Sequence, residues 1–201
     1  MNELKELINQ LETSNGNEVF ILQKINELFL TKLMICIKED LVLYPTEVEA
    51  YYNHATSFPD SCVHMNELQQ NHFGKLYLHR KGKKKENAIL FWNYGGIDVC
   101  ISSGNYYLSI LIRSARINSE EKPISGPCKL LWEVADLVCN EDNIQKLSEE
   151  NTATLNQLEE KVVLVETDNN DIRRVNSISV TKRTGIHKGD YVEAPLRSII
   201  D

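Results

Sequence analysis

Three stretches of the chain carry side chains whose types and spacing could do chemistry. Along Glu47–Tyr52 the strand period of two puts Glu47, Glu49 and Tyr51 on one face, and Val48, Ala50 and Tyr52 on the other. A carboxylate on such a face can act as a general base when it is taken out of bulk solvent. Left in solvent it is only the polar face that an antiparallel strand normally shows, and spacing alone favours that solvated reading. Arg113 ends the apolar run Leu108–Ile112, where a guanidinium is tolerated only against a carboxylate or a phosphate. Glu49 can be that carboxylate, in a pair that is as readily a structural ion pair as part of a site. His64 follows a Pro59-Asp60 turn, and a lone histidine is ordinarily a surface or hydrogen-bonded residue.

The third stretch is basic. Lys75, Arg80, Lys81, Lys83, Lys84 and Lys85 lie within eleven residues that contain no acid, next to Tyr77, His79, Phe91 and Trp92. Interleaved cations and flat rings suit phosphate contact with base stacking, whereas the ordinary role of such a run is a solvated hairpin tip. The cluster stands out because the chain as a whole is acidic, with 22 Lys and Arg against 29 Asp and Glu, a formal charge of −7. That balance argues against a generic nucleic-acid coat, and the acid-rich residues Glu141–Glu166 make the chain electrostatically two-sided. No G-x-S-x-G, P-loop, G-x-G-x-x-G or H-E-x-x-H motif is present, which removes support for the corresponding hydrolase, nucleotide, dinucleotide and zinc-protease classes. The five cysteines, Cys36, Cys62, Cys100, Cys128 and Cys139, are odd in number, with no C-x-x-C pair, and read as buried, reduced thiols. Every apolar run is cut short by charge before membrane-spanning length, and no signal peptide is apparent. The expected location is intracellular, cytoplasmic if the source is bacterial, with no membrane partner.

Elements must position these residues. Leu4, Leu7, Ile8 and Leu11, then Val19, Leu22, Ile25, Phe29 and Leu33, have helical spacing, interrupted at Ser14-Asn15-Gly16. Residues 1–40 therefore read as a layer of two amphipathic helices. From Leu41 short β-branched and aromatic runs take over, with strands expected at Glu47–Tyr52, Lys75–His79, Ala88–Trp92, Ile97–Ser102 and Tyr106–Arg113. Glycine-bearing turns at Lys81-Gly82-Lys83, Tyr94-Gly95-Gly96 and Ser103-Gly104-Asn105 predict antiparallel hairpins. Lys129–Val138 presents one apolar helical face, Glu141–Glu160 is polar with weak helical signals at Ile144–Leu147 and Leu155–Leu158, and Val162–Val165 and Ser177–Val180 read as closing strands. The expected fold is α+β: one domain over residues 1–201, with a curved antiparallel sheet over 41–201 and helices around it.

Six short motifs, taken in order, resemble the alkyladenine (3-methyladenine) DNA glycosylase family. Val48-Glu49-Ala50-Tyr51 resembles its E-A-Y strand, Asp60 to His64 its D-x-x-x-H segment, and Gly74 to His79 its G-x-L-Y-x-Y strand. Leu111-Ile112-Arg113-Ser114-Ala115 resembles its L-I-R-A strand, Gly126 to Leu130 its G-P-G-K-L helix entry, and Arg183 to Ile186 with Pro195-Leu196-Arg197 its closing R-x-G-I and P-x-R-F. The resemblance implies a monomeric base-excision repair enzyme that needs no metal or cofactor, binds DNA, flips a damaged purine from the helix and hydrolyses its N-glycosidic bond with water. Glu49 would be the general base and Arg113 would hold Glu49, the water or the adjacent phosphate. Tyr51, His64, Tyr77 and His79 would line the base pocket, with His79 where the family has a stacking tyrosine. Lys75, Arg80, Lys81, Lys83, Lys84 and Lys85 would contact the DNA backbone. Two family features have no counterpart: the wedge tyrosine at a hairpin tip, which here becomes Arg80–Lys85, and an asparagine near Cys100–Ser102 that screens purines. Their loss implies weak, poorly selective excision that is easier on single-stranded or mismatched DNA. The alternative is a non-catalytic relative that binds nucleic acid, a free nucleobase or a protein partner through the same pocket.

Overall fold

Two helices open the chain because their apolar residues recur every three to four positions. The computed structural model describes residues 1–38, 40–65, 70, 73–79, 95–102, 104–138, 152–154, 163–167 and 175–201. Helix α1 (Asn2–Glu12) buries Leu4, Ile8 and Leu11 against α2 (Glu18–Thr31), which buries Leu22, Ile25 and Phe29. The helical layer stops at Thr31, short of the expected residue 40. Leu33–Lys38 is strand β1, whose apolar run carries the helical pattern onward while its burial alternates with period two from Leu33 to Ile37. Apolar residues at Leu30, Leu33 and Ile37 fit a helix as well as a strand, and the pairing of β1 on both sides decides the matter.

The strands that follow are β2 (Leu41–Asn53), β3 (Leu76–His79), β4 (Gly96–Cys100), β5 (Tyr107–Ile117) and β6 (Ile124–Ser125). Helix α3 (Pro127–Val138) comes next, then β7 (Thr152–Thr154), β8 (Val163–Glu166), β9 (Ile178–Thr181) and β10 (Arg197–Ile200). Among the described residues ten strands pair antiparallel in one curled sheet, in the order β7-β3-β4-β5-β2-β1-β8, with β10 branching from β2 and carrying β9. The fold is α+β, as expected. Strands β6, β7 and β10 were not foreseen, and β2 and β5 run well beyond their expected limits. The two expected closing strands separate: β8 pairs β1 at one edge, while β9 pairs β10. Gly104 has φ +94°, as the β4–β5 turn requires. The expected strand Ala88–Trp92, the Lys81–Lys83 turn and the helical signals at 144–147 and 155–158 lie outside the described residues.

Helices α1, α2 and α3 cover the apolar side of the sheet, so Val48, Ala50, Tyr52, Leu76, Leu78, Ile97, Val99, Leu108, Ile110 and Ile112 form the core with them. Helix α2 also reaches beyond its apolar stripe. Gln23 Nε2 donates to the Pro195 carbonyl at 3.1 Å, and Asn26 Nδ2 donates to the Leu196 carbonyl at 3.0 Å. The same Leu196 carbonyl accepts from the Ala50 N–H at 2.9 Å, so the start of β10 is held between α2 and β2. No helix among the described residues is long and apolar enough to cross a membrane.

Candidate functional site

The other side of the sheet carries the polar residues. Parity along β2 places Glu47, Glu49 and Tyr51 there, and the pairing Glu49↔Leu111 and Glu49↔Arg197 sets their neighbours. The β2–β5 register skips Thr46 on one strand and Arg113 on the other, a pair of irregularities within three residues. Such a bulge re-aims the side chain it frees. Arg113 Nε donates to Glu47 Oε1 at 2.7 Å, while its NH1 lies 3.3 Å from Glu49 Oε1. Arg197, opposite Glu49, donates from Nε to the same Glu47 oxygen at 2.8 Å and stands 4.0 Å from Glu49 Oε1.

Glu49 is fully buried, at 0% exposure, which overturns the solvated reading of its face. Its Oε1 accepts the Thr184 N–H at 2.7 Å and its Oε2 accepts the Tyr51 hydroxyl at 3.0 Å. Arg113 NH1 also faces Oε1, so three donors meet this carboxylate. Burial pushes the Glu49 carboxyl above its ordinary range, opposed in turn by Arg113, the Thr184 N–H, the Tyr51 hydroxyl and Arg197. The Tyr51 phenol is pushed well above its ordinary range, first by burial and then by the Glu49 charge, so it stays a donor.

A second pair supports the first. Arg183 NH1 and Asp60 Oδ2 meet at 2.7 Å with both side chains fully buried, and the Arg183 guanidinium lies 4.7 Å from the Tyr51 ring centre. This stacking presses one face of Tyr51 and sets the backbone of the next residue, Thr184, against Glu49. The sequence pointed to Asp60, Arg183 and Arg197 only as members of matched motifs. It pointed to Glu47 only as a member of the acidic face, and to the Thr184 N–H not at all. The D-x-x-x-H, R-x-G-I and P-x-R matches were the available signal.

Of the expected site residues, the structure brings together Glu49, Arg113 and Tyr51. His64 is exposed and stands against Tyr77, ring centres 6.1 Å apart, and Tyr77 is three strands from Glu49 in the sheet. His79 ends β3, and Lys75 precedes it with its carbonyl accepting the Cys100 N–H at 2.9 Å. Arg80, Lys81, Lys83, Lys84 and Lys85 lie outside the described residues. Cys36, Cys62, Cys100 and Cys128 are free thiols, of which only Cys100 is fully buried, so the expectation of burial fails for the other three. Among the described residues no group of three or more His, Cys, Asp or Glu side chains is arranged to hold a metal ion.

The raised Glu49 carboxyl has a measurable consequence. The folded chain holds this proton more tightly than the unfolded one, so its contribution to stability is fully present below the ordinary carboxylate pKa. It is lost as pH rises through the higher folded value. Urea unfolding from about pH 4 to about pH 8 should show this decline in wild type and a flatter profile in Glu49→Gln. Parallel profiles would show that Glu49 is not the group responsible.

No protein-family model matches this chain, and no curated protein is significantly similar to it.

Proposed function

We propose that this protein is a DNA-3-methyladenine glycosylase-like hydrolase that flips a damaged purine and excises it by water attack on the N-glycosidic bond. The observation that carries this reading is the Glu49 carboxylate, buried on the polar side of the sheet. Arg113, the Thr184 N–H and the Tyr51 hydroxyl hold it. Glu49 positions and deprotonates the water, and burial raises its proton affinity, the direction that strengthens a general base. Arg113 and Arg197 hold the Glu47–Glu49 pair together and stabilise charge on it. On this reading Tyr51, backed by Arg183, is a rigid wall for the base, and the resemblance assigns the pocket also to Tyr77 and His64, which stand together three strands away. The finer fold assignment, a glycosylase-like half-barrel, rests on the same order of motifs, three of which supply the residues around Glu49. The test is release of base from oligonucleotides carrying methylated purine, ethenoadenine or hypoxanthine, single-stranded and mismatched, read as abasic sites.

A second reading is a non-catalytic relative that binds through the same face. It is favoured by one distance: the closest carboxylate to Arg113 is Glu47, at 2.7 Å, and the Glu47–Glu49–Arg113–Arg197 group balances its own charge as a structural network would. DNA affinity without abasic sites selects this reading.

In either case DNA affinity should fall steeply with salt. Neutralising Lys81, Lys83, Lys84 and Lys85 should lower the magnitude of the salt slope by roughly 0.9 for each duplex phosphate that is no longer paired with a lysine. A filter-binding series in which the fourfold variant keeps the wild-type slope would assign these lysines to a solvated loop.

A further inference from the structure

Strand β9 (Ile178–Thr181) is an outer edge of the sheet, for among the described residues its one strand partner is β10. The Asp201 N–H donates to the Ser177 carbonyl at 3.2 Å. Bonded pairs recur at every second residue of an antiparallel ladder, so Ser179 and Thr181 also turn their backbone groups to β10, while Ile178 and Val180 turn theirs outward. Side chains alternate as well. Val180 pairs with buried Ser198, which Asn26 of α2 reaches, so Ile178 and Val180 stand on the α2 side of the sheet. Ser177, Ser179 and Thr181 stand on the side of Glu47 and Glu49. Soluble proteins ordinarily blunt an exposed edge with charge, proline or a bulge. Residues 175–181 have neither charge nor proline, and β9 pairs β10 without a register shift. Beside this edge a groove of about 550 Å³ runs between α2 and β9, walled by Phe20, Val175, Ile178 and Val180, with Phe20 60% and Val180 46% exposed.

We propose that this edge joins a second copy of the chain, β9 against β9, in a closed two-fold dimer. Two-fold-related antiparallel neighbours in one sheet share an axis normal to it, which keeps every side chain on its own face. A residue can then oppose only itself or one an even number of positions away. Centred on Ser179, the axis sets Ile178 of each copy against Val180 of the other. Those are the residues whose backbone groups point outward, so both pairs are hydrogen-bonded, and Ser179 meets Ser179 in the closer non-bonded pair. On the α2 side Ile178 and Val180 make one apolar row across the joint, with the Phe20 groove beside it. Charge fits a second copy at this face. Each chain carries −7, so two copies repel, but β9 brings no charge to the contact, and Lys24 and Glu27 in the groove neutralise each other at 2.7 Å. Asp201, the acid beside the edge, is held on its own copy's Ser177 and Ser179 hydroxyls at 2.8 Å and 2.6 Å. Thr181, Arg197 and Glu49 are successive register partners, so the axis leaves the Glu49 rows of both copies on one side of a continuous sheet.

The test is sedimentation equilibrium of the full chain from about 1 to about 100 μM, the range in which the weaker interfaces of ordinary size dissociate. Mass is expected to rise from one chain to two and stop there, since pairing about the axis closes both β9 edges. Val180→Lys sets a lysine against Ile178 on each side of the axis. It should stay monomeric over the same range with an unchanged Tm, because Val180 is half-exposed in the single chain. Ser179→Cys should cross-link two copies under mild oxidation, its paired Cα atoms lying about 4.5 Å apart and within disulfide range. Thr181→Cys, which opposes Ser177, should not cross-link beyond wild type. Assembly beyond two chains, a Val180→Lys chain that still dimerises, or equal cross-linking of the two cysteine variants would overturn the proposal. So would a monomer at every concentration, which would leave the edge to a strand from a different protein.

Discussion

Glu49→Gln is expected to abolish base release, lowering the excision rate by about 10²–10⁴-fold, while DNA affinity stays nearly unchanged. The amide has the shape of the carboxylate. Its oxygen can keep the Thr184 N–H and the Arg113 guanidinium, and the Tyr51 hydroxyl can turn to accept from the new NH₂. What it cannot do is take a proton from water. Wild type and variant should therefore differ in abasic sites formed and agree in bound DNA. Flipping costs a few kcal/mol in a paired duplex, so single-stranded and mismatched substrates should show the difference most clearly. Equal background from both proteins with DNA bound would establish the non-catalytic relative. Absence of binding would direct attention to free nucleobases or a protein partner.

Arg183→Met should be the most damaging single substitution for stability. It leaves the Asp60 carboxylate fully buried without its counter-charge, a change that costs about 3–5 kcal/mol. For a chain of this size each kcal/mol moves the Tm by roughly 2–4 °C, so a fall on the order of 10 °C is expected. It also removes the cation from behind the Tyr51 ring and loosens the segment that brings the Thr184 N–H to Glu49. Asp60→Asn in the same chain should recover much of the loss, because the buried charge is then gone along with its partner. A double-mutant cycle by urea unfolding measures the coupling. An Arg183→Met protein within about 0.5 kcal/mol of wild type, the range of an ordinary surface change, would show that the pair does not brace the site.

The fold class was legible because the signals for it are local. Period-four spacing marked α1 and most of α2, Gly104 marked one hairpin, and the apolar face of Lys129–Val138 marked α3. Strand β1 was hidden because Leu33–Ile37 continues the apolar spacing of the preceding helix. The face of β2 that holds Glu47, Glu49 and Tyr51 was readable from alternation alone, but its burial was not, since alternation is the same whether that face meets water or protein. What closes it comes from distant chain: Thr184, Arg183 and Arg197, with separations of 135 residues for Thr184 to Glu49 and 150 for Arg197 to Glu47. The skipped register at Thr46 and Arg113 had one signal in the sequence, Pro45, since proline inside a sheet is confined to edges, strand starts and bulges. Motif order pointed to Glu49, Arg113 and Tyr51. It also pointed to His64, which stands against Tyr77 on β3.

The grip of α2 on the start of β10 bears on the order of assembly. Gln23 and Asn26 hold the carbonyls of residues 172 and 170 positions away, and Arg197, one residue past that grip, is among the charges that hold Glu47. Such long-range closures form late, because the entropy of joining distant segments must be met before the contacts return anything. During synthesis Glu49 emerges early, without Thr184, Arg183 or Arg197, as an ordinary solvated carboxylate with an ordinary affinity for protons. It becomes a buried carboxylate only when residues 183–197 have left the ribosome and docked. A partly folded copy of this chain would carry every residue of β2 and still leave Glu49 solvated, so the burial of Glu49 doubles as a report that the whole fold has closed.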